Sequence, residues 1–467
     1  MREAWPRRAR SLGGFSRTVG SMTTTSDEAN RRAGGSRLDL LLVRSMGLQP
    51  GEANTALLLA LNIFVLLATY YLLKTVREAL ILTEGGAEVK SYSSAGQAAL
   101  MLVALPLYSR IASSVSRVRL INTVTLFFTA NLVLFAAAGL AGFRIGIPFY
   151  LWLGVFNMMI VSQLWSFAND LYSEDEGKRV FPIIGLGSSF GAVLGAQAAG
   201  SVFERMNPYQ VMLLAAALLA SSLGITYLVN RKRCSECPTN RSVEKVPIGG
   251  KGGFQIVLSD RYLLLIAGLT LLLNLVNSTG EFILGSFVVQ EASLLPIEKR
   301  AAFVGSFYGD YFWWVNALGV GLQVMVTPRL LRRVGAPGAL FVLPIIALGG
   351  YSVLLTLPTI ALVKAVKIFE NAADYSIQNT ARQALYLVTS REAKYKAKTT
   401  IDTFFVRLGD MGQAGIVAAG LALGFGPAAF AAINLGFVLL WLALVGMIVL
   451  EYRLRFRRES VPAIVSI

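Results

Sequence analysis

Histidine is absent from this chain of 467 residues, and cysteine occurs only twice. Without histidine, metal sites and proton relays built on imidazole are excluded. The two cysteines, Cys234 and Cys237, form one CxxC, which has two ligands fewer than a zinc site needs. Two cysteines also cannot form a disulfide framework. The sequence therefore predicts no metal and no other cofactor, and a cysteine pair without function.

Charged residues are scarce as well. They make up 15% of the chain, against 55% hydrophobic residues and a mean hydropathy of +0.59, whereas soluble domains carry about 25% charged residues. The apolar residues form blocks of about 18–25, enough for a helix to cross a hydrocarbon core of about 30 Å. Alternating ten-residue patterns, typical of a transmembrane barrel, are missing. The composition therefore predicts an all-α polytopic membrane protein.

The apolar blocks predict twelve transmembrane helices, numbered here 1 to 12. Their expected ranges are 54–74, 94–114, 119–141, 146–169, 181–203, 208–229, 261–286, 301–328, 338–357, 358–386, 400–425 and 427–450. We predict a disordered basic tail over 1–53, a six-helix half over 54–230, a cytoplasmic linker over 231–259, a second half over 260–451 and a cytoplasmic tail over 452–467.

The net charge of +16 could indicate a nucleic-acid partner, but the positions of the basic residues argue against one. With the N-terminus inside, the inside segments hold 33 basic residues and the outside loops hold six, among them Arg77 and Lys90. Such asymmetry orients membrane proteins, and the basic loops would lie against anionic lipid. We therefore expect both termini in the cytoplasm and membrane lipid, not nucleic acid, as a partner.

Glycine-rich stretches in helices 5 and 11 begin about 220 residues apart, near Gly185 and Leu408, and each follows a charged loop. Parallel six-helix repeats would give such an echo, which favours a major-facilitator-like architecture. In helix 5, Gly187, Gly191 and Gly195 form a GxxxGxxxG run that predicts close helix packing. No Walker A motif is present, so energy would come from a gradient or from exchange.

Charged residues at membrane depth are the first candidates for a substrate path. Near the end of helix 1, Lys74, Arg77 and Glu78 share one helical face, which suits either a binding site or an interfacial anchor. In helix 8, Asp310 lies beside aromatic residues, and Glu281 is a single acid in helix 7. Aromatic rings beside charge suit a planar ligand or ordinary packing, and the sequence leaves both open.

Helix 10 carries a polar stripe at helical spacing. Its members are Lys364, Lys367, Glu370, Asn371 and Asp374. A solvated surface is the usual interpretation of such a stripe, but apolar residues flank this one at membrane depth. We therefore predict that it lines a cavity, with Lys367 paired to Glu370 to reduce the cost of burial.

Three stretches resemble the ATP/ADP translocase family of obligate intracellular bacteria and plastids. They are Leu73-Lys-Thr-Val-Arg-Glu-Ala-Leu, Leu164-Trp-Ser-Phe-Ala-Asn-Asp with the following Asp175-Glu-Gly-Lys-Arg-Val-Phe-Pro, and Tyr375-Ser-Ile-Gln-Asn-Thr-Ala-Arg with Lys396-Ala-Lys-Thr-Thr-Ile-Asp. Their order and spacing fit that family over nearly all of 55–450. The resemblance implies twelve helices, no ATP hydrolysis, and nucleotide counter-exchange or proton-linked uptake.

The resemblance also implies roles for charged residues. The family's basic residue late in helix 1 falls on Arg77, with Lys74 one turn earlier, and its basic cluster before helix 11 falls on Lys396 and Lys398. Fixed cations of this kind suit phosphate. The chain departs from the family where acids fall on Leu153 and Asn277, with Glu281 one turn after the latter. It departs again where a lysine falls on Asp374.

Our hypothesis is a monomeric nucleotide transporter of a bacterial cytoplasmic membrane that works by alternating access. The expected substrate-binding residues are Lys74, Arg77, Lys396, Lys398, Asn169, Asn277 and Asn371. The expected coupling or gating residues are Glu281, Asp310, Glu370, Asp374 and Lys367. Two alternatives stay open: a major-facilitator-type carrier of another metabolite or anion, and a membrane module that senses ligands or scaffolds partners without transport.

Overall fold

The structure is a computed structural model that describes residues 52–114, 117–172, 174–234, 252–390 and 392–460. The predicted basic tail up to residue 51, most of the predicted linker, and Cys237 lie outside these ranges. Within them every regular element is helical.

Within these ranges a helical segment overlaps each of the twelve predicted spans, and we number these segments α1 to α12. Their bounds are α1 Glu52–Glu84, α2 Gly86–Ser114, α3 Arg117–Leu140, α4 Gly146–Leu171, α5 Glu174–Phe203, α6 Pro208–Cys234, α7 Arg261–Ser293, α8 Ile297–Gly321 continued by Leu322–Val326 and Thr327–Ala339, α9 Val342–Thr356, α10 Ile360–Ala373 continued by Asp374–Gln378 and Asn379–Leu385, α11 Ala393–Ala397 continued by Lys398–Thr400, Ile401–Phe405 and Val406–Ala422, and α12 Pro427–Ser460. A short helix, Gly253–Ser259, precedes α7.

Seven helices in the described ranges are long and apolar enough to cross a membrane on length and composition alone. The count is eight if α8 and α9, which meet at a bend of 76°, form one span. Among the other spans, α2 and α10 bury polar residues inside the bundle, and α10 and α11 are broken by π-helical turns. The polytopic all-α architecture is therefore confirmed, with twelve as an approximate number of spans.

The connection between the first two helices differs from the prediction. The sequence indicated a loop over 75–93, whereas α1 continues to Glu84 and α2 begins at Gly86, where a positive φ of 78° makes the turn. The error arose because the polar residues Lys90 and Ser91 were taken for a loop. They are buried in the bundle instead, with Lys90 only 7% exposed, because they face other polar groups there.

The glycine run of α5 packs on α1, as the GxxxGxxxG pattern predicts. A β-carbon on Gly187, Gly191 or Gly195 would overlap the backbone of α1 at Ala60, Phe64 and Ala68, respectively. Only glycine lets the two helix backbones approach so closely.

The two six-helix halves meet along their central helices. Tyr71 of α1 donates a hydrogen bond to Asn316 of α8 at 2.8 Å, and Gln413 of α11 donates to Ser91 of α2 at 3.1 Å. Gly200 of α5 and Gly309 of α8 touch through their backbones. We call the end of the bundle that holds the α1–α2 turn the far face, and the end where α1 begins and α12 ends the termini face.

Candidate functional site

A cavity of about 160 Å³ lies between the halves, on the far-face side of the bundle's middle. We call it the charged cavity. Helices from both halves line it, because α1, α2 and α4 belong to the first half and α7, α8, α10 and α11 to the second. Its walls include Lys74, Arg77, Glu78, Lys90, Ser91, Ser94, Tyr150, Asn277, Ser278, Glu281, Phe282, Phe312, Asn371, Tyr375 and Gln413.

Cations exceed carboxylates in this cavity by one. Lys74, Arg77 and Lys90 line it together with two acids, Glu78 and Glu281. Buried charges are tolerated when they are paired, and the two acids absorb only two of the three positive charges. The cavity therefore suits an anion.

Lys90 joins the acids of the two halves. Its Nζ lies 2.7 Å from Oε2 of Glu78 on α1 and 3.6 Å from Oε2 of Glu281 on α7. Glu78, 1% exposed, is also bonded to Arg77, whose guanidinium lies 4.6 Å from the ring centre of Tyr150. One buried ammonium group therefore connects α1 to α7 through α2.

Lys74 is the excess cation. In the described part of the chain it forms no ion pair, and its Nζ lies 4.0 Å from the ring centre of Phe312 and 5.4 Å from that of Tyr71. Aromatic faces attract a cation by about 0.5–2 kcal/mol without neutralising it. Its charge therefore stays available to a ligand.

Glu281 is held by neutral donors as well as by Lys90. Tyr311 donates to its Oε1 at 2.9 Å and Asn371 at 3.0 Å. Beside it, Lys367 donates to Oδ1 of Asn277 at 2.7 Å and pairs with Glu370 at 2.9 Å. The predicted pairing of Lys367 with Glu370 is thus confirmed.

The predicted residues are only partly brought together. Lys74, Arg77, Asn277, Asn371 and Glu281 line the charged cavity. Lys367 contacts Asn277 of that group, and Glu370 contacts Lys367. Asp374 lines a separate space of about 10 Å³ next to Glu370, large enough for about one water.

The other predicted residues lie elsewhere. Asp310 pairs with Lys364 at 2.6 Å. Lys396 pairs with Glu392 at 3.4 Å, and Lys398 lies 5.8 Å from the ring centre of Tyr386. Asn169 is exposed at the end of α4. Lys396, Lys398 and Asn169 belong to the termini side of their helices, away from Lys74.

The departures from the family pattern have distinct surroundings. Leu153 is 1% exposed and belongs to the apolar core. The position of the family's first acid is therefore apolar in this chain. Asn277 and Glu281, one turn apart on α7, both line the charged cavity. An acid therefore faces the cavity from α7, displaced by one turn.

Sequence reasoning missed Lys90, Tyr150 and Gln413 as lining residues. Lys90 stands in the run Lys90-Ser-Tyr-Ser-Ser, followed by Gln97, which reads as a loop when α2 is started too late. The serines recur on one helical face, and this signal could have placed Lys90 in a helix.

The sequence is similar to those of curated nucleotide carriers. It is 24% identical over 336 residues to ADP,ATP carrier protein 1, chloroplastic, of Arabidopsis thaliana, covering 63% of this chain and 52% of that one. Identity to ADP,ATP carrier protein 4 of Rickettsia bellii is 23% over 299 residues, covering 55% and 56%. Identity to ADP,ATP carrier protein 1 of Chlamydia trachomatis is 22% over 296 residues, covering 55% and 54%. The chain thus spans about half the length of these relatives. The resemblance predicted from the motifs is confirmed, although no family model matches the chain.

Solved structures of transporters share the fold. The nucleoside transporter NupG aligns with a TM-score of 0.62 and 12% identity, covering 84% of this chain and 99% of that one. The POT family transporter PepTSo aligns with a TM-score of 0.59 and 13% identity, covering 86% and 97%. These similarities place the chain in the major-facilitator-like architecture.

Proposed function

We propose that this chain is a membrane transporter of nucleotides that works by alternating access, as an exchanger or coupled to an ion. The observation that carries the proposal is the charged cavity between the halves, in which three cations face two carboxylates. A nucleoside di- or triphosphate is a polyanion, and fixed cations stabilise phosphate by charge and hydrogen bonds. The similarity to ADP,ATP carriers supports this substrate class.

Lys74 and Arg77 are the proposed phosphate ligands. A phosphate oxygen that displaced the aromatic contacts of Lys74 would gain a charge interaction of about 1–4 kcal/mol at a separation of 4 Å. The planar guanidinium of Arg77 would add two parallel hydrogen bonds to phosphate, while Glu78 holds the guanidinium in place. Asn277 and Asn371 are proposed as neutral hydrogen-bonding groups at the rim of the same site.

Lys90 is proposed to link substrate binding to movement of the halves. Its two carboxylate partners lie on opposite halves, so opening the far face requires that it release one of them. A bound phosphate would compete with Glu281 for Lys90, lowering the free energy needed for that release. The two halves would then rock around the cavity.

We further propose the setting in which this occurs. The chain would act as a monomer in a bacterial cytoplasmic membrane, with both termini in the cytoplasm and its basic loops on anionic lipid. Lys396 and Lys398, on the termini side of α11, would attract nucleotides from the cytoplasm toward the cavity.

Transport by the purified protein in lipid vesicles tests the proposal. Uptake of labelled ATP should be stimulated by ADP enclosed in the vesicles and should be abolished by an excess of external unlabelled ADP. Protein-free vesicles provide the control. Binding of ATP in nanodiscs without any uptake would contradict transport and favour the sensor alternative. Folded protein that neither binds nor transports ATP would contradict the nucleotide assignment.

A smaller anion is the second candidate. The charged cavity of about 160 Å³ is below the roughly 300–1,000 Å³ of typical ligand sites, which favours a compact substrate when it is considered alone. Competition of unlabelled phosphate, pyrophosphate and dicarboxylates with ATP binding separates the two, since a carrier of small anions would prefer one of them to ATP.

A further inference from the structure

A second cavity adjoins the charged one. It has a volume of about 560 Å³ and lies between α1, α5, α8 and α10; we call it the apolar cavity. Most of its walls are apolar. Its lining includes Leu186, Phe190, Val320, Val324, Gln323 and Tyr375. Binding of phosphate in the charged cavity gives this second space no role.

The two cavities share Tyr375. The rest of the partition is built by Tyr71, which lines the apolar cavity, and Phe312, which lines the charged one. Their rings lie edge to face with centres 6.0 Å apart, and Asn316 bonds to both residues, accepting from the Tyr71 hydroxyl at 2.8 Å and donating to the Phe312 carbonyl at 2.7 Å. Lys74 lies over the same two rings. A ligand phosphate on Lys74 would therefore stand beside the entrance to the apolar cavity.

Tyr375 has the properties of a stacking platform. Tyr375 is 47% exposed although it lies in the middle of α10. Since it lines both cavities, this exposed surface faces the centre of the bundle, and in the described ranges its ring packs on no other aromatic ring. Any planar nucleobase can stack on such a ring, because every base has a π-face.

Two π-helical segments place side chains in the apolar cavity. Leu322–Val326 of α8 supplies Gln323 and Val324, and Asp374–Gln378 of α10 supplies Tyr375. Gln323 also accepts a hydrogen bond from Thr380 of α10 at 3.3 Å. Local π-helical turns are frequent at functional sites, and here two of them face the same space.

We infer that the apolar cavity binds the base of a nucleotide whose phosphates occupy the charged cavity, with Tyr375 as its stacking residue. This inference rests on the proposed function. The volumes of about 160 Å³ and about 560 Å³ together fall within the roughly 300–1,000 Å³ of typical ligand sites. The exposed amide of Gln323 faces the cavity as a polar group for the base edge. Specificity for a ring-bearing anion over a bare polyphosphate thus arises at Tyr375, and attraction of the phosphates arises at Lys74.

Calorimetry on the protein in nanodiscs tests the division, with ATP and inorganic tripolyphosphate as separate ligands. Tyr375→Leu should weaken ATP binding by about 5- to 150-fold, the value of one base–aromatic stack, and should leave the Kd of tripolyphosphate within about twofold. Tyr375→Phe should retain ATP binding because it keeps the ring. Ala317→Trp, which places a bulky ring in part of the apolar cavity, should also affect ATP alone.

Tyr227→Leu provides the matched control, because Tyr227 is a 61% exposed tyrosine on α6 outside both cavities. If Tyr375→Leu and Ala317→Trp bind ATP like the wild type, or lose both ligands equally, the proposed base site is wrong. The proposal of nucleotide transport would still stand. If folded wild-type protein binds tripolyphosphate as tightly as ATP, the base site is likewise wrong. If it binds neither ligand, the proposed function fails and this inference fails with it.

Discussion

Lys90 neutralises buried carboxylates of both halves. Its ammonium group lies within 4 Å of two carboxylates, and its side chain is 9% exposed. Burying such groups is favourable only while they remain paired. Glu78 keeps Arg77 if Lys90 is lost, whereas the direct partners that Glu281 keeps in the described ranges are the neutral donors Tyr311 and Asn371.

Lys90→Met should therefore destabilise the protein by about 3–5 kcal/mol, the cost of leaving a buried charge unpaired. Thermal unfolding in detergent measures the effect as a lower Tm. Lys364→Met is the matched control, because its partner Asp310 is 52% exposed and an exposed pair contributes about 0–1 kcal/mol. Adding Glu281→Gln to Lys90→Met should recover part of the loss. Equal Tm values for the two single variants would contradict the role of Lys90.

Several of these residues could be identified from the sequence. The spacing of Lys74, Arg77 and Glu78 predicted one face, and all three line the charged cavity. Lys367 and Glu370, three residues apart, pair as predicted. The partner of Lys74 could not be predicted, because Phe312 lies 238 positions later in the chain and only the packing of α1 on α8 brings them together.

At the scale of the helices, the approach of α5 to α1 depends on three small residues. Gly185 lies on the same helix, but a β-carbon there would meet nothing within 4 Å. The two kinds of glycine therefore allow a comparison within one helix. It separates the loss of backbone contact from the general effect of adding a methyl group.

Gly191→Ala should destabilise the protein by about 1–3 kcal/mol, the cost of overpacking a close contact. Gly185→Ala should be neutral or stabilise by up to about 1 kcal/mol, because alanine favours a helix over glycine. The Tm of each variant in one detergent, with the wild type beside them, gives the comparison. Equal Tm values for the two variants would show that α5 and α1 do not meet through Gly191.

Helix interiors were predictable from the sequence, and their irregularities were not. Blocks of apolar residues located the spans, since an uninterrupted apolar run predicts a membrane helix. The π-helical turn at Asp374–Gln378 has no such signature, because its residues are as helix-compatible as their neighbours. The start of α2 was predicted too late because its polar residues, which face a cavity, resemble a loop in the sequence.

At the scale of the whole molecule, the halves are joined toward the far face. Ser91 and Gln413 meet there, and Gly200 meets Gly309. The apolar cavity lies on the termini side of these contacts, with Asn169 exposed beyond it. If the chain is the proposed carrier, these contacts close it at the far face, and a ligand would reach Lys74 from the termini face.

Charge distribution was enough to predict the overall architecture, because basic loops and apolar blocks alternate along the chain. It could not predict which helices of one half meet which of the other. Those contacts, such as Tyr71 with Asn316, join residues far apart in sequence. The excess of one cation in the cavity is likewise a property of five side chains from three helices, and no single segment reveals it.

The most direct test of this account measures exchange of external labelled ATP for internal ADP by Lys74→Gln in lipid vesicles. Lys74 has no ion pair in the described part of the chain, so its loss should leave the Tm close to that of the wild type. Exchange should fall at least about fivefold, because a charge interaction of about 1–4 kcal/mol with phosphate is lost. Lys299→Gln, which removes an exposed lysine, should exchange normally. Wild-type exchange by Lys74→Gln would contradict the claim that the excess cation of the cavity binds the substrate.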